Sequence, residues 1–151
     1  MKGKGDFPSL NAKLPDGLKP NGKPYKVMVV EDKEFQRKQI VQILESEKYE
    51  IVATAGNGQE ALSKYEMLDG MVDIITTDLD MPILDGYALV CELNQKSKKP
   101  LVVFISDETT KGVMEDLINM GIADYILKPV NRKTILDRVR MAVKKKALTS
   151  S

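Results

Sequence analysis

From Tyr25 onward the chain alternates strand-length apolar runs with segments of helical apolar spacing, and this alternation limits its possible folds more than any other feature. Strands that alternate with helices form parallel sheets through right-handed crossovers, with helices on both faces. The sequence therefore predicts a doubly wound α/β fold around a five-stranded parallel sheet. The predicted strands are Lys26–Val30, Ile51–Ala55, Asp73–Thr77, Leu101–Ile105 and Asp124–Leu127.

Between these strands, apolar residues recur at a spacing that places them on one face of a helix. Each series predicts one helix that packs on the sheet. Gly121 directly follows the fourth series, where a glycine commonly ends a helix. The five series are Phe35, Ile40, Ile43 and Leu44; Ala61, Tyr65 and Leu68; Leu84, Ala88 and Cys91; Val113, Leu117 and Met120; and Ile135, Val139 and Val143.

Residues 1–24 have no such periodicity and contain four prolines and four glycines. Two interpretations remain open for this segment: a flexible arm, or a docking peptide around Phe7 and Leu10. We predict a flexible N-terminal arm at residues 1–24, one globular domain at residues 25–146 and a short C-terminal tail at residues 147–151.

Composition restricts the chemistry. The 151 residues include no histidine, which excludes Ser-His-Asp and Cys-His arrangements and zinc sites that use imidazole. The single cysteine, Cys91, excludes an internal disulfide and, with no leader or bilayer-length apolar run, predicts a cytoplasmic protein without membrane insertion. A formal net charge of +1 gives no indication of nucleic-acid binding.

Acidic, hydroxyl and basic residues follow the predicted strands at their carboxyl ends. Glu31 and Asp32 end the first strand, Asp78 the third, Ser106 the fourth and Lys128 the fifth. Such ends meet in a crevice, which lies between strands one and three if the strand order is 2-1-3-4-5. Three close carboxylates require either a raised pKa or a divalent cation, and oxygen ligands suit Mg²⁺ or Mn²⁺. The pocket therefore predicts an aspartate that attacks phosphorus in line.

Several motifs in this order resemble the signature of response-regulator receiver domains. The resemblance extends from about Tyr25 to Lys145 and implies a flavodoxin-like, CheY-like (βα)5 fold with strand order 2-1-3-4-5. It also implies a phosphorelay protein of a two-component system. The motifs are Val29-Val30-Glu31-Asp32, Asp78-Leu79-Asp80-Met81-Pro82 with Asp85-Gly86, Ser106, and Lys128-Pro129.

The resemblance assigns the phosphoryl and metal chemistry to matching residues. Asp78 would be the phosphoacceptor. Mg²⁺, or Mn²⁺, would be held by Asp78, by Asp32 directly, by Glu31 through water and by the main-chain carbonyl of Asp80.

The same resemblance identifies the residues that sense the phosphoryl group. Lys128 would pair with it, followed by a cis bond to Pro129. Ser106 would move to bond a phosphoryl oxygen, and Tyr125 would swing inward on activation. For Tyr125 the alternative is a half-buried aromatic residue of a strand.

Partners also follow from the resemblance. The donor would be a phosphohistidine on a sensor histidine kinase or phosphotransfer protein. The output would be a surface on the fourth helix, fifth strand and fifth helix (Thr109–Met120, Tyr125 and Asn131–Val143), to which a downstream protein docks, as in chemotaxis-type single-domain regulators. Such a protein is not an enzyme beyond slow self-dephosphorylation.

Two acids depart from the usual pattern. Asp107 follows Ser106 where the family has a small residue, and Asp80 places a second acid two positions after Asp78. We expect both to modify the rates of phosphorylation and hydrolysis, because a nearby carboxylate repels the phosphoryl group. The alternative is that Asp107 faces solvent and caps a helix that begins near Thr109.

Two other functions compete with this one. The chain is either a stand-alone receiver or the receiver portion of a larger regulator with DNA-binding or enzymatic output. The less favoured alternative is a phosphatase of the haloacid-dehalogenase type, in which Asp78 and Asp80 would be nucleophile and acid/base. That family places the acid pair at the first strand, whereas here the pair follows the third.

Overall fold

The computed structural model describes residues 14–149, in which five strands alternate with five helices. All five predicted strands are present, each bounded within one residue of its prediction. In chain order the elements are β1 (Lys26–Val30), α1 (Glu34–Glu45), β2 (Glu50–Ala55), α2 (Gly58–Met67), β3 (Ile74–Thr77), α3 (Gly86–Leu93), β4 (Leu101–Ser106), α4 (Lys111–Asn119), β5 (Asp124–Leu127) and α5 (Arg132–Thr149).

The strands form one parallel sheet in the order β2-β1-β3-β4-β5, which confirms the predicted order and places β2 at an edge. The register pairs Val30 with Thr77 and Ser106 with Leu127. The residues that follow β1 and β3 are therefore neighbours across the reversal of strand order. Ser106 at the end of β4 and Lys128 after β5 are neighbours in the same way.

Successive strand residues point to opposite faces of the sheet, so each face has its own apolar core. In β1, Met28 and Val30 pack towards α2, α3 and α4, whereas Val27 and Val29 pack towards α1 and α5. Both faces of β1 and β3 are buried, which is why Val27–Val30 is a continuous apolar run, whereas β3 ends in the buried threonines Thr76 and Thr77. Each fully buried aliphatic side chain contributes about 1.5–3 kcal/mol to folding.

The predicted helix faces were wrong at some positions. Phe35 lies in the first turn of α1 and is 80% exposed, whereas Ile40, Ile43 and Leu44 of that helix are buried as predicted. Leu84 lies in the loop before α3, and Asp85 caps that helix. Because α3 begins at Gly86, its buried residues are Leu89, Val90 and Leu93, whereas Ala88 and Cys91 are only partly buried.

The end of α4 agrees with prediction. The helix ends at Asn119 with Met120 as its C-cap. Gly121 follows with a φ of 93°, the left-handed conformation that glycine adopts without a steric penalty.

The segment before β1 is attached to the domain in its described part. Gly17 N donates to Glu47 O at 2.7 Å, and Tyr25 N donates to Gly17 O at 2.8 Å. A Cβ at Gly17 would lie 2.1 Å from Tyr49 N, so only glycine permits this approach of two backbones. The predicted arm is therefore attached to the α1–β2 turn at Asp16 and Gly17. Residues 1–13 of the arm, including Phe7 and Leu10, lie outside the described residues.

At the other end, α5 continues to Thr149 and so includes most of the predicted tail 147–151. The last two residues of that tail are outside the described part of the chain. Within residues 14–149, no helix combines the length and the apolar character that crossing a bilayer requires.

Candidate functional site

Asp78, Glu31 and Lys128 form a buried charged cluster at the carboxyl edge of the sheet. Lys128 Nζ lies 2.9 Å from Asp78 Oδ2 and 3.0 Å from Glu31 Oε1. Asp78 is 4% exposed and Glu31 is fully buried at 0%. The structure thus brings together the residues that follow β1, β3 and β5, as the sequence predicts.

Burial and pairing act in opposite directions on these groups. Burial raises the pKa of Glu31, because the carboxylate loses its hydration, and the hydrogen bond from Lys128 opposes that change. Burial lowers the pKa of Lys128, but the bonds to Asp78 and Glu31 outweigh it and leave that pKa raised. Lys128 is therefore a protonated cation in the cluster.

Asp32 completes an acidic group that fits a divalent cation. Glu31, Asp32 and Asp78 each offer one carboxylate oxygen, and these oxygens lie within 4.8 Å of one another. Asp32 Oδ1 is buried and has no hydrogen-bond partner among residues 14–149, and a buried acceptor left in this way costs about 1–3 kcal/mol. Three carboxyl groups face the single cation Lys128, so acidic groups outnumber basic groups in this cluster. Oxygen ligands and this excess of acidic groups suit Mg²⁺.

The backbone around Asp78 is held by the residues that follow it. Asp78 Oδ1 accepts a hydrogen bond from Leu79 N at 2.6 Å. Asp85 Oδ1 caps α3 by accepting from Ala88 N at 2.9 Å. A Cβ at Gly86 would lie 2.3 Å from Asp78 O, so glycine is needed where α3 begins against this loop. The Asp-Gly pair of the motif is thus explained by a cap and a close approach.

Lys128 is held by the strand that precedes it. Its main-chain N donates to Ser106 O at 2.8 Å, which extends the pairing of β4 with β5 by one residue. The bond between Lys128 and Pro129 is cis, as predicted. The ammonium group of Lys128 lies beside the residues that follow β1 and β3, as its ion pairs with Glu31 and Asp78 show.

Ser106 and Tyr125 both contact Glu108, a residue that the sequence analysis missed. Ser106 Oγ accepts from Glu108 N at 3.2 Å, and the Tyr125 hydroxyl donates to Glu108 O at 2.9 Å. Tyr125 is 6% exposed, and its ring stacks on Phe104 with centroids 5.8 Å apart. Tyr125 therefore occupies a buried position here. Glu108 makes these two contacts through its main-chain N and O atoms, which every residue type has, so they could not be predicted from the sequence.

The two predicted rate modifiers follow β3 and β4 at the carboxyl edge of the sheet. Asp80 and Asp107 are both exposed. The pKa of Asp80 is raised, first by the partial burial of its carboxyl group and then by the charges of Asp78, Glu108, Asp107 and Asp85. Several carboxylates therefore lie close enough to Asp80 to raise its pKa.

The capping role considered for Asp107 was wrong. The helix that follows Asp107 is α4, which begins at Lys111 and has Thr110 as its N-cap. Glu108 supplies the local hydrogen bonds instead, because its side chain accepts from Thr109 N at 3.1 Å and from Thr110 Oγ1 at 3.0 Å.

Known proteins share this arrangement of sequence and fold. The family model for the response regulator receiver domain matches residues 27–140. A chemotaxis protein CheY of Treponema pallidum is 40% identical over 144 residues, covering 95% of this chain and 100% of that protein. A chain in the crystal structure of the CheX-CheY-BeF3-Mg²⁺ complex from Borrelia burgdorferi has a TM-score of 0.83 and 32% identity, covering 87% of this chain and 98% of that chain.

A further relative has this similarity in only part of its length. The protein-glutamate methylesterase/protein-glutamine glutaminase of Bacillus subtilis is 40% identical over 108 residues, which cover 69% of this chain and 29% of that protein.

Proposed function

Since the chain belongs to the response regulator receiver domain family, we propose that it accepts a phosphoryl group on Asp78 from a phosphohistidine donor. The observation that carries the proposal is the position of the Asp78 carboxylate, which is buried, paired with Lys128 and within 4.8 Å of a carboxylate oxygen of both Glu31 and Asp32. The chain is a phosphorelay response regulator that resembles the CheY chemotaxis regulators.

The chemistry proposed for Asp78 is the formation of an acyl phosphate. A carboxylate oxygen of Asp78 attacks phosphorus, the P–N bond of the donor breaks, and the imidazole nitrogen keeps the bonding electron pair. Lys128, already 2.9 Å from the Asp78 carboxylate, would pair with a phosphoryl oxygen. Ser106 would exchange its hydrogen bond from Glu108 N for one to the phosphoryl group.

The proposed ligands of Mg²⁺ are Glu31, Asp32, Asp78 and the main-chain carbonyl of Asp80. Mn²⁺ is an alternative cation, because it also prefers oxygen ligands. When bound, the cation neutralises charge that develops on the transferred phosphoryl group. Support comes from the orphaned Asp32 Oδ1 and from the excess of acidic over basic groups in the cluster. The complex from Borrelia burgdorferi includes Mg²⁺ with BeF3.

The proposed output is a change in protein docking. We propose that phosphorylation alters the surface of α4, β5 and α5 through the contacts of Ser106 and Tyr125 with Glu108. A downstream protein binds this surface, and a sensor kinase or phosphotransfer protein supplies the phosphoryl group. In the Borrelia burgdorferi complex the CheY relative is bound to CheX, which supports a protein as the target class.

A separate catalytic activity is not part of this proposal. The similarity to the methylesterase of Bacillus subtilis covers 29% of that enzyme, so it concerns the receiver portion rather than the whole enzyme. We propose that the protein acts stoichiometrically, with slow hydrolysis of its own acyl phosphate, in a cytoplasmic signalling chain.

Intact-mass spectrometry after incubation with acetyl phosphate and Mg²⁺ tests the proposal. We expect the wild-type protein to gain the mass of one phosphoryl group and Asp78→Asn to gain none. Asp116→Asn is the matched control, because it makes the same substitution at an exposed aspartate of α4, and it should retain the gain. Labelling of Asp78→Asn, or turnover of a phosphomonoester without labelling, would refute the proposal.

A further inference from the structure

At the amino ends of the strands, on the side of the sheet opposite the acidic cluster, the structure has an open cleft of about 840 Å³. The starts of β1, β3 and β4 form its floor, and the segment before β1 and the end of α5 form two of its walls. The volume lies within the usual range of ligand sites, about 300–1,000 Å³. The phosphorylation pocket does not share these lining residues.

One wall of the cleft is fixed in place by the contact at Gly17. Two main-chain hydrogen bonds close the turn that follows Gly17. Lys19 N donates to Lys23 O at 2.8 Å, and Gly22 N donates to Lys19 O at 2.8 Å. Lys19, Lys23 and Tyr25 all precede residue 27, where the match to the receiver family begins. The cleft is thus built partly from chain that the shared receiver domain does not include.

The cleft is strongly basic. Asp73, one of its acids, is already engaged, since its Oδ2 lies 3.5 Å from Lys19 Nζ and accepts a hydrogen bond from Lys26 N at 2.8 Å. Lys23 and Lys99 are exposed and form no ion pair with any residue between 14 and 149. Six lysines line the cleft against two acids: Lys19, Lys23, Lys26, Lys98, Lys99 and Lys146 against Glu50 and Asp73.

Apolar side chains lie among the lysines, and they restrict the kind of anion that fits. Met71 is half-exposed at 52%, and Leu101 and Val143 are partly buried beside it. A ligand for this surface combines negative charge with apolar groups.

The main chain argues against a phosphate cradle. The N–H groups at the strand starts already donate within the protein: Lys26 N to Asp73 Oδ2, Glu50 N to Tyr25 O and Leu101 N to Asp73 O. Phosphate sites typically use free main-chain N–H groups or bidentate arginines, and the lining residues include no arginine. Lysine point charges beside apolar surface suit carboxylates on a peptide better.

We propose that this cleft binds an acidic, partly apolar peptide segment of a partner protein. The chain's own first 13 residues are an unsuitable occupant, because they carry three lysines and one aspartate. The proposal does not depend on phosphorylation of Asp78, so the Asp78→Asn protein should bind such a peptide as the wild type does.

Fluorescence anisotropy with a short labelled peptide of repeated Glu-Glu-Leu tests the charge requirement. We expect saturable binding, and we expect Lys23→Glu with Lys99→Glu to raise Kd at least about tenfold. The matched control is Lys38→Glu with Lys111→Glu, which changes the net charge equally on exposed residues of α1 and α4 and should leave Kd within about twofold. Phosphoryl labelling of Asp78 reports that each variant is folded.

Two further probes separate the alternatives. A Lys-Lys-Leu peptide should not bind, and inorganic tripolyphosphate should bind more weakly than the Glu-Glu-Leu peptide. In NMR spectra, the peptide should shift the amide signals of Tyr25 and Met71 and not those of Glu31 and Ser106. The proposal is overturned if no saturable binding occurs, if both double variants lose binding equally, if tripolyphosphate binds more tightly, or if the shifts map elsewhere.

Discussion

Lys128 Nζ donates a hydrogen bond of 2.9 Å to Asp78 Oδ2, although the two residues are 50 positions apart in the chain. The lysine side chain is 8% exposed and the aspartate side chain 5%, so solvent screens this pair weakly. Removal of either partner would leave a buried charge without compensation, which is more costly than the pair itself is stabilising. This relationship determines the first prediction.

The substitution Lys128→Met should lower the free energy of unfolding by about 3 kcal/mol, because Asp78 and Glu31 lose their shared cation. Urea denaturation in the presence of a chelator measures the change. Lys133→Met is the control, since it breaks an exposed pair with Asp137 and should change stability little. Equal stabilities of the wild type and Lys128→Met would show that the buried pair contributes nothing.

Added Mg²⁺ should stabilise the folded protein, by about 2.7 kcal/mol when its free concentration is a hundred times Kd. The physical reason is that the cation binds the gathered carboxylates of the native state and not the unfolded chain. Asp32→Asn keeps the shape of the side chain and removes one ligand charge, so it should lose most of this gain. Thermal unfolding with and without Mg²⁺ measures both effects. The same gain in Asp32→Asn would exclude Asp32 as a ligand.

Asp107→Ala should accelerate labelling by acetyl phosphate and change the lifetime of the acyl phosphate. A carboxylate near the phosphoryl group repels an anionic donor, and about 1 kcal/mol of repulsion corresponds to a roughly fivefold rate change. The difference should shrink at high salt, since Asp107 is exposed. Asp116→Ala on α4 serves as the control and should behave like the wild type. Identical rates and lifetimes for Asp107→Ala and wild type would remove Asp107 from the mechanism.

Tyr125→Phe should retain phosphorylation of Asp78 and weaken docking of the target protein. The ring still stacks on Phe104, but Glu108 O loses its hydrogen bond, at a cost of about 1 kcal/mol. Mass spectrometry measures the labelling, and urea denaturation measures the stability. Tyr87→Phe, at a half-exposed position of α3, should change neither. Loss of labelling in Tyr125→Phe would place the hydroxyl in the chemistry rather than in the output.

Gly17→Ala should destabilise the protein by about 1–3 kcal/mol, because the added Cβ meets the backbone of Tyr49 and Glu47. It should also weaken binding of the Glu-Glu-Leu peptide, since the wall of the basic cleft would shift. Gly112→Ala is the control: nothing lies within 4 Å of its added Cβ, and in α4 alanine should stabilise by about 0.5–1 kcal/mol. Both are measured by denaturation. A neutral Gly17→Ala would show that the segment before β1 is not held by this contact.

Features of the fold that depend on apolar patterning could be predicted from the residues, and those that depend on main-chain contacts could not. Strands were predicted within one residue, because a short run of mostly apolar or β-branched residues marks each of them, including the partly exposed edge strand β2. The predicted core face of α3 was wrong, because the apolar spacing of the helix continues backwards to Leu84, which lies in the loop before the cap Asp85. Glu108 was missed, since main-chain N and O atoms make its contacts with Ser106 and Tyr125.

The order of residues along the chain was enough to determine the parallel α/β fold and the gathering of the acids with Lys128. Strand periodicity and crossover handedness leave few arrangements, and each of them brings the carboxyl ends of the strands to one edge. Only the tertiary structure decided the buried position of Tyr125, the attachment of residues 14–24 through Gly17 and the basic cleft opposite the acids. These features arise where segments distant in the chain meet through main-chain atoms and surface lysines, and no local pattern of residue types records such contacts.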